Sequence, residues 1–313
     1  MDFNKLYENC RLCPRACGVN RLENGKGSRS GFCRLDHQLR VAYVGPHFGE
    51  EPPLTGTHGS GTVFFTGCSL RCSYCQNYQI SSNGLGRSMR IETLFERVEE
   101  MIRVNRVHNI NLVTPDHFFP HAFRLVARLR RKGRELPVVY NLSGYQSVAM
   151  IRMAEEYAHI YLPDFKYADP RLSAKLSKCK DYPEVALRAI SEMVRQKGFL
   201  DSFDNASSLA KKGVLVRHLI LPGKVENSID ALTTLFLEFG AALPLSLMSQ
   251  YTPALPQKVQ ELNRSLAREQ FERVYGHAMD LGFEHIFVQF PDENRQDDTS
   301  FLPDFNRRKP FSA

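Results

Sequence analysis

The stretch GSGTVFFTGCSLRCSYCQNYQIS, residues 59–81, runs from β-branched and aromatic residues through a glycine into Cys68, Cys72 and Cys75. The apolar run reads as a strand over 62–67, and the cysteines fall on the loop that leaves it. Three sulfurs at this spacing can converge on one centre, and the sequence offers no fourth cysteine beside them. A structural zinc site takes four protein ligands, whereas an iron–sulfur cluster on three thiolates leaves one iron open to another molecule.

Outward from this loop, short apolar runs alternate with helical periodicity. Further strands are expected at 109–114, 137–141, 159–163, 213–220, 245–249 and 285–289. Between the first two, Ile91, Leu94, Phe95, Val98, Met101 and Ile102 form one apolar helical stripe, and a later helix carries Ala186, Ile190, Met193 and Val194 before stopping near Gly198. Repeated βα units with no evident reversal of order favour an α/β barrel or partial barrel over an open doubly wound sheet. Barrel chemistry gathers where strands end. Polar residues stand there: Cys68, Asp116, Asn141 and Ser143, Asp164 and Lys166, and Gln250 and Tyr251.

CxxxCxxC with an aromatic residue, Tyr74, before its last cysteine resembles the signature of the radical SAM superfamily. Together with YLPDFKY, VRHLILPG and LMSQYTP, it is most similar to the uncharacterised iron–sulfur proteins related to pyruvate formate-lyase activating enzyme. The resemblance spans about residues 8–290. It implies a partial (β/α) barrel of the radical SAM type, with a 4Fe–4S cluster on Cys68, Cys72 and Cys75 whose open iron is chelated by S-adenosylmethionine. Reductive cleavage to a 5′-deoxyadenosyl radical and hydrogen abstraction would follow. By position, Tyr74 is expected near the adenine, Asp164 and Lys166 at the methionine or ribose, Asn141 and Ser143 at further polar contacts, and Arg217 at the arginine position of the fifth strand. A lysine can pair with the methionine carboxylate and an aspartate can accept from ribose hydroxyls.

One departure stands out. Where the superfamily carries a Gly-Gly-Glu-like sequence after the second strand, this chain has Thr114-Pro115-Asp116-His117. Either Asp116 accepts from the cofactor ammonium or the strand end acts through backbone carbonyls. His117 and His121, four apart, are a weak metal pair.

Residues 1–60 lack the βα alternation and are expected to form a small Cys-rich N-terminal segment ahead of the barrel at 61–290, with a polar tail over 291–313. Cys10, Cys13, Cys17 and Cys33 supply four thiolates, enough for a closed second site, either zinc or iron–sulfur. Cys179 reads as an unpaired thiol. Cysteine clusters of this kind suit a reducing compartment, and with no signal-like N-terminus and no apolar run of bilayer length a cytoplasmic protein is expected. The formal net charge of +7 would suit an acidic partner, but Arg124, Arg128, Arg130, Arg131, Lys132 and Arg134 read more simply as a solvated helix face and its end, so nucleic acid is not the expected partner.

The leading function is that of a radical SAM enzyme with its hydrogen donor open; the resemblance implies a glycine of a partner protein as one substrate, with a flavodoxin- or ferredoxin-like electron donor. The alternatives are radical modification of a small molecule, peptide or RNA, and a non-catalytic iron–sulfur or zinc protein. His218, Gln250 and Tyr251 are the substrate-facing candidates.

Overall fold

The computed structural model describes residues 3–23, 31–202, 209–291 and 302–311. Its strands are β1 (Arg40–His47), β2 (Ser60–Phe65), β3 (Arg87–Ser88), β4 (Ile110–Val113), β5 (Val138–Leu142), β6 (Ile160–Pro163), β7 (Gly213–Val214), β8 (Val216–Leu219), β9 (Leu245–Met248) and β10 (Ile286–Gln289). The first sheet has the order β3-β1-β2-β4-β5-β6-β7, and the second the order β10-β9-β8. From β2 to β7, and again through β8, β9 and β10, every pairing is parallel. A parallel bridge between Asp164 and Arg217 joins the two sheets where β6 meets β8. The result is a curved parallel wall with helices on its outside, a partial (β/α) barrel.

The strands form where they do because both faces are buried. Every residue of β2, β4 and β6 is buried, and such strands read as nearly continuous apolar runs. The outward faces pack Val63, Leu112, Tyr140 and Tyr161 into the main core, with the helices over Ile91–Asn105, Phe119–Arg131 and Tyr182–Lys197. Facing inward, Val139, Ile160, Leu162 and Leu215 close one end of the barrel around Leu54.

Strand β1 has no counterpart in the sequence reading. It lies antiparallel to β2, with an irregularity between Val41 and Tyr43, and only two of its eight residues are buried. A mostly half-exposed strand with Gly45 and Pro46 near its end carries little of the apolar signal that marks its neighbours. The cysteine-rich segment thus delivers a strand to the barrel edge. The described tail also contributes: Phe305 and Phe311 pack on Phe64, with ring centroids 5.4 and 5.2 Å away.

On the basic helix, Arg128 pairs with Glu92 and the following Arg134 with Glu99, as a solvated face would. Among the described residues no helix is long and apolar enough to cross a membrane.

Candidate active site

After β2 the chain turns at Gly67, whose φ is +89° and whose absent Cβ would meet Leu35 at 2.5 Å. Only glycine fits a left-handed turn so crowded. The loop then carries Cys68, Cys72 and Cys75 to the rim of a cavity of about 1670 Å³, which all three line. Each sulfur is met by hydrogen-bond donors. Leu70 N donates to Cys68 Sγ at 3.3 Å, Ser177 Oγ to Cys72 Sγ at 3.1 Å, and Ser81 Oγ to Cys75 Sγ at 3.3 Å. Burial pushes the Cys68 and Cys75 thiols up, so their thiolates need a positive partner.

Opposite the loop, Asn141, Ser143, Asp164, Lys166, Arg217 and Gln250 line the same cavity. Lys166 Nζ lies 2.6 Å from Asp164 Oδ2. Burial opposes the lysine's charge, and the Asp164 carboxylate together with Cys72 and Cys75 more than offsets it, holding Lys166 above an ordinary lysine. The turn after β5 is fixed by Gly144 at φ +82°, where a Cβ would fall 2.0 Å from Asp164 O. Strand ends β5 and β6 can approach this closely only without a side chain.

Arg217 faces the cavity already engaged. Its Nε donates to Glu51 Oε1 at 2.8 Å, and its second nitrogen pairs with both Glu51 and Glu50. Asn111 Nδ2 also donates to Glu50 at 2.8 Å. Although burial works against Glu51's charge, Arg217 outweighs it and keeps this carboxyl below the usual range. The guanidinium is therefore an anchor for the loop at 48–52, and a cofactor carboxylate would have to compete for it. Sequence reasoning missed Glu50 and Glu51, which lie 167 and 166 residues from their partner.

Other expected site residues stand outside the cavity lining. His218 sits between the Phe165 carbonyl and Ser228 Oγ, 2.9 Å from the latter, and burial lowers it to about 4. Neighbours on a strand point to opposite faces, so Arg217 turns inward and His218 toward the helices. Tyr251 donates to Leu262 O at 2.7 Å. The Tyr74 ring is buried, and its hydroxyl lies 2.9 Å from that of Tyr167. Asp116 accepts from Ser69 Oγ at 3.1 Å and Gln146 Nε2 at 2.9 Å, and burial raises it to about 6. Its carboxylate is thus turned away from the cavity. Thr114 lines the cavity instead, with φ +53°. A left-handed conformation at a β-branched residue is a genuine outlier, and it occurs where the resemblance expects glycine. His117 and His121 do not act as a metal pair: His117 Nε2 donates to Thr66 O at 2.6 Å, and His121 Nδ1 meets the Tyr7 hydroxyl at 2.7 Å.

The N-terminal cysteines pack behind the loop. Arg15 donates to Ser69 O at 3.1 Å and Ser177 O at 2.8 Å, and its guanidinium stacks 3.9 Å from the Phe32 ring. Phe32 N in turn donates to Cys17 Sγ at 3.3 Å. Burial raises Cys13 to about 12, with Cys33 and Cys10 adding to the rise. All eight cysteines are free thiols. Among the described residues no three His, Cys, Asp or Glu side chains close around one point as ligands of a single metal ion. A tetrahedral zinc would need sulfurs about 3.8 Å apart, from Zn–S bonds of about 2.3 Å.

The donor set at the loop suits a cluster. Three sulfurs face one cavity, each with a hydrogen-bond donor of the kind that supports a ligating thiolate. The cavity also exceeds the ~300–1,000 Å³ usual for one ligand, leaving room for a substrate beside the cofactor.

A model of the Radical SAM superfamily matches residues 62–236. An uncharacterized protein of Methanocaldococcus jannaschii is 27% identical over 293 residues, covering 90% of this chain and 78% of that protein. Among solved structures, Streptococcus suis SuiB bound to precursor peptide SuiA matches with a TM-score of 0.47 and 10% identity over 72% of this chain. This chain spans 47% of SuiB, about half its length. Methylornithine synthase matches with a TM-score of 0.41 and 14% identity, over 78% of this chain and 75% of that one. Because the family model covers more than half of the chain and contains the three-cysteine loop, the chain belongs to the radical SAM superfamily, which implies an enzyme with a 4Fe–4S cluster and S-adenosylmethionine.

Proposed function

We propose that this protein abstracts hydrogen from a polypeptide substrate, in the manner of the activating-enzyme-like branch, with a glycine of a partner protein as the target class. The observation that carries the cofactor half of the reading is the pairing of Lys166 with Asp164 on the wall of the cavity that the cysteine loop also lines. When bound, the cluster and cofactor supply one-electron reductive chemistry. Lys166 would hold the methionine carboxylate, Asp164 would accept from ribose hydroxyls, and Asn141 and Ser143 would add polar contacts. With the Asp116 carboxylate occupied by Ser69 and Gln146, backbone carbonyls at the Thr114 strand end are left to receive the ammonium group. A polypeptide substrate is favoured because the cavity already borders one: residues 303 and 305–309 and Phe311 of the tail line it.

The test is anaerobic reconstitution with iron and sulfide, reduction, and assay for 5′-deoxyadenosine with and without candidate partner proteins. Product that rises only with a polypeptide carrying the abstracted position supports the reading. Product that rises with small molecules alone would replace it.

A second reading concerns Cys10, Cys13, Cys17 and Cys33, which we read as an anionic metal–thiolate centre. Arg21 carries it. This arginine is 2% exposed, donates to the carbonyls of Leu35, Asp36 and His117, and has no carboxylate partner among the described residues. One anionic candidate beside it is Cys10, with Sγ 3.8 Å from the guanidinium. A buried unpaired charge is strongly disfavoured, and thiolates on a metal would neutralise it. Zinc and iron counted on a variant lacking Cys68, Cys72 and Cys75 test this: residual metal supports the centre, and none removes it.

A further inference from the structure

Among the donors to the loop sulfurs, one comes from far away in sequence. Leu70 N belongs to the loop and Ser81 to the short helix after it, but Ser177 ends the helix Pro170–Ser177, 105 residues from Cys72. It is fully buried. Its position is fixed from the loop side, because Ser73 N donates to Leu176 O at 2.8 Å.

Behind Ser177 the Tyr167 hydroxyl lies 2.7 Å from Ser177 Oγ and donates to Tyr74 at 2.9 Å. A ligating thiolate has no proton of its own and accepts, so the single hydroxyl proton of Ser177 goes to Cys72. Hydrogen bonds to cluster sulfurs are among the factors that set a cluster's reduction potential.

We infer that Ser177 is a positioning residue for electron uptake, whose donation to Cys72 stabilises the reduced cluster and raises its potential. The inference rests on the cluster assignment, and the experiment separates the two. In the reconstituted full-length protein, iron content is counted and the midpoint potential is measured by redox titration with electron paramagnetic resonance. Ser177→Ala should load the same iron and show a lower midpoint. Ser177→Thr, which keeps the hydroxyl, should return it toward the unsubstituted value. An unchanged midpoint in Ser177→Ala with the cluster intact would overturn the inference. Should Ser177→Ala fail to load iron, Ser177→Gly decides, since an unchanged midpoint there overturns the inference as well. Absence of iron from the unsubstituted protein would bring down the cluster assignment, and the inference with it.

Discussion

Lys166 and Cys72 face each other across the same cavity, and each makes a prediction at the scale of one side chain. Replacing Cys72 with Ala removes one of three thiolates, so the loop cluster should be lost while any metal bound by the proposed centre at Cys10, Cys13, Cys17 and Cys33 stays. Iron and zinc counts on the purified variant check this. Lys166→Ala removes a charge-assisted contact worth about 1.5–3 kcal/mol, so affinity for S-adenosylmethionine measured by calorimetry should fall roughly 10- to 100-fold. An unaltered affinity would take Lys166 out of the cofactor site. Residue identity alone revealed much of this site. Asn141 with Ser143, and Asp164 with Lys166, are spaced by two and line the cavity together. Arg217 with His218, and Gln250 with Tyr251, are adjacent, and the structure brings only the first of each pair inside. The period of two along an extended chain was a signal able to separate them.

The turn after β5 shows how an element enforces the site. Gly144→Ala would combine a left-handed φ with an overlap on the Asp164 carbonyl, and should cost roughly 3 kcal/mol or more, measured as a fall in the urea midpoint. Lys166 should lose its partner geometry along with that stability. The parallel strands were legible because burial on both faces writes them as apolar runs, whereas β1, half-exposed and interrupted by glycine and proline, was not. Neither was the Glu50–Arg217–Glu51 cluster, because nothing local marks a carboxylate that meets its guanidinium 166 residues later. Ser177 was hidden for a different reason: a serine at a helix end is ordinary, and only the fold sets it on a sulfur.

Across the whole molecule, three buried histidines make stability sensitive to acid. His117 and His121 are lowered to about 3 and His218 to about 4, in each case chiefly by burial. Each therefore takes up its proton later in the fold than in the unfolded chain, whose histidines titrate at about 6.5. Their contribution is complete above that pH and declines below it, by about 1.4 kcal/mol per pH unit for each histidine. Thermal midpoints between pH 7.5 and 5 should fall steeply, and His218→Gln should flatten the slope. The tail behaves more locally. Phe305→Ala with Phe311→Ala should speed tryptic cleavage after Arg307 and Arg308, because those rings, with the Gln79 hydrogen bonds to Asp304 and Phe305, hold the segment on the barrel. Thr114 carries a consequence for how such sites are found. At the end of β4 the distinguishing mark is a dihedral angle of +53° and not a letter of the alphabet. A motif search written in glycines passes over this strand end; one written in backbone angles stops at it.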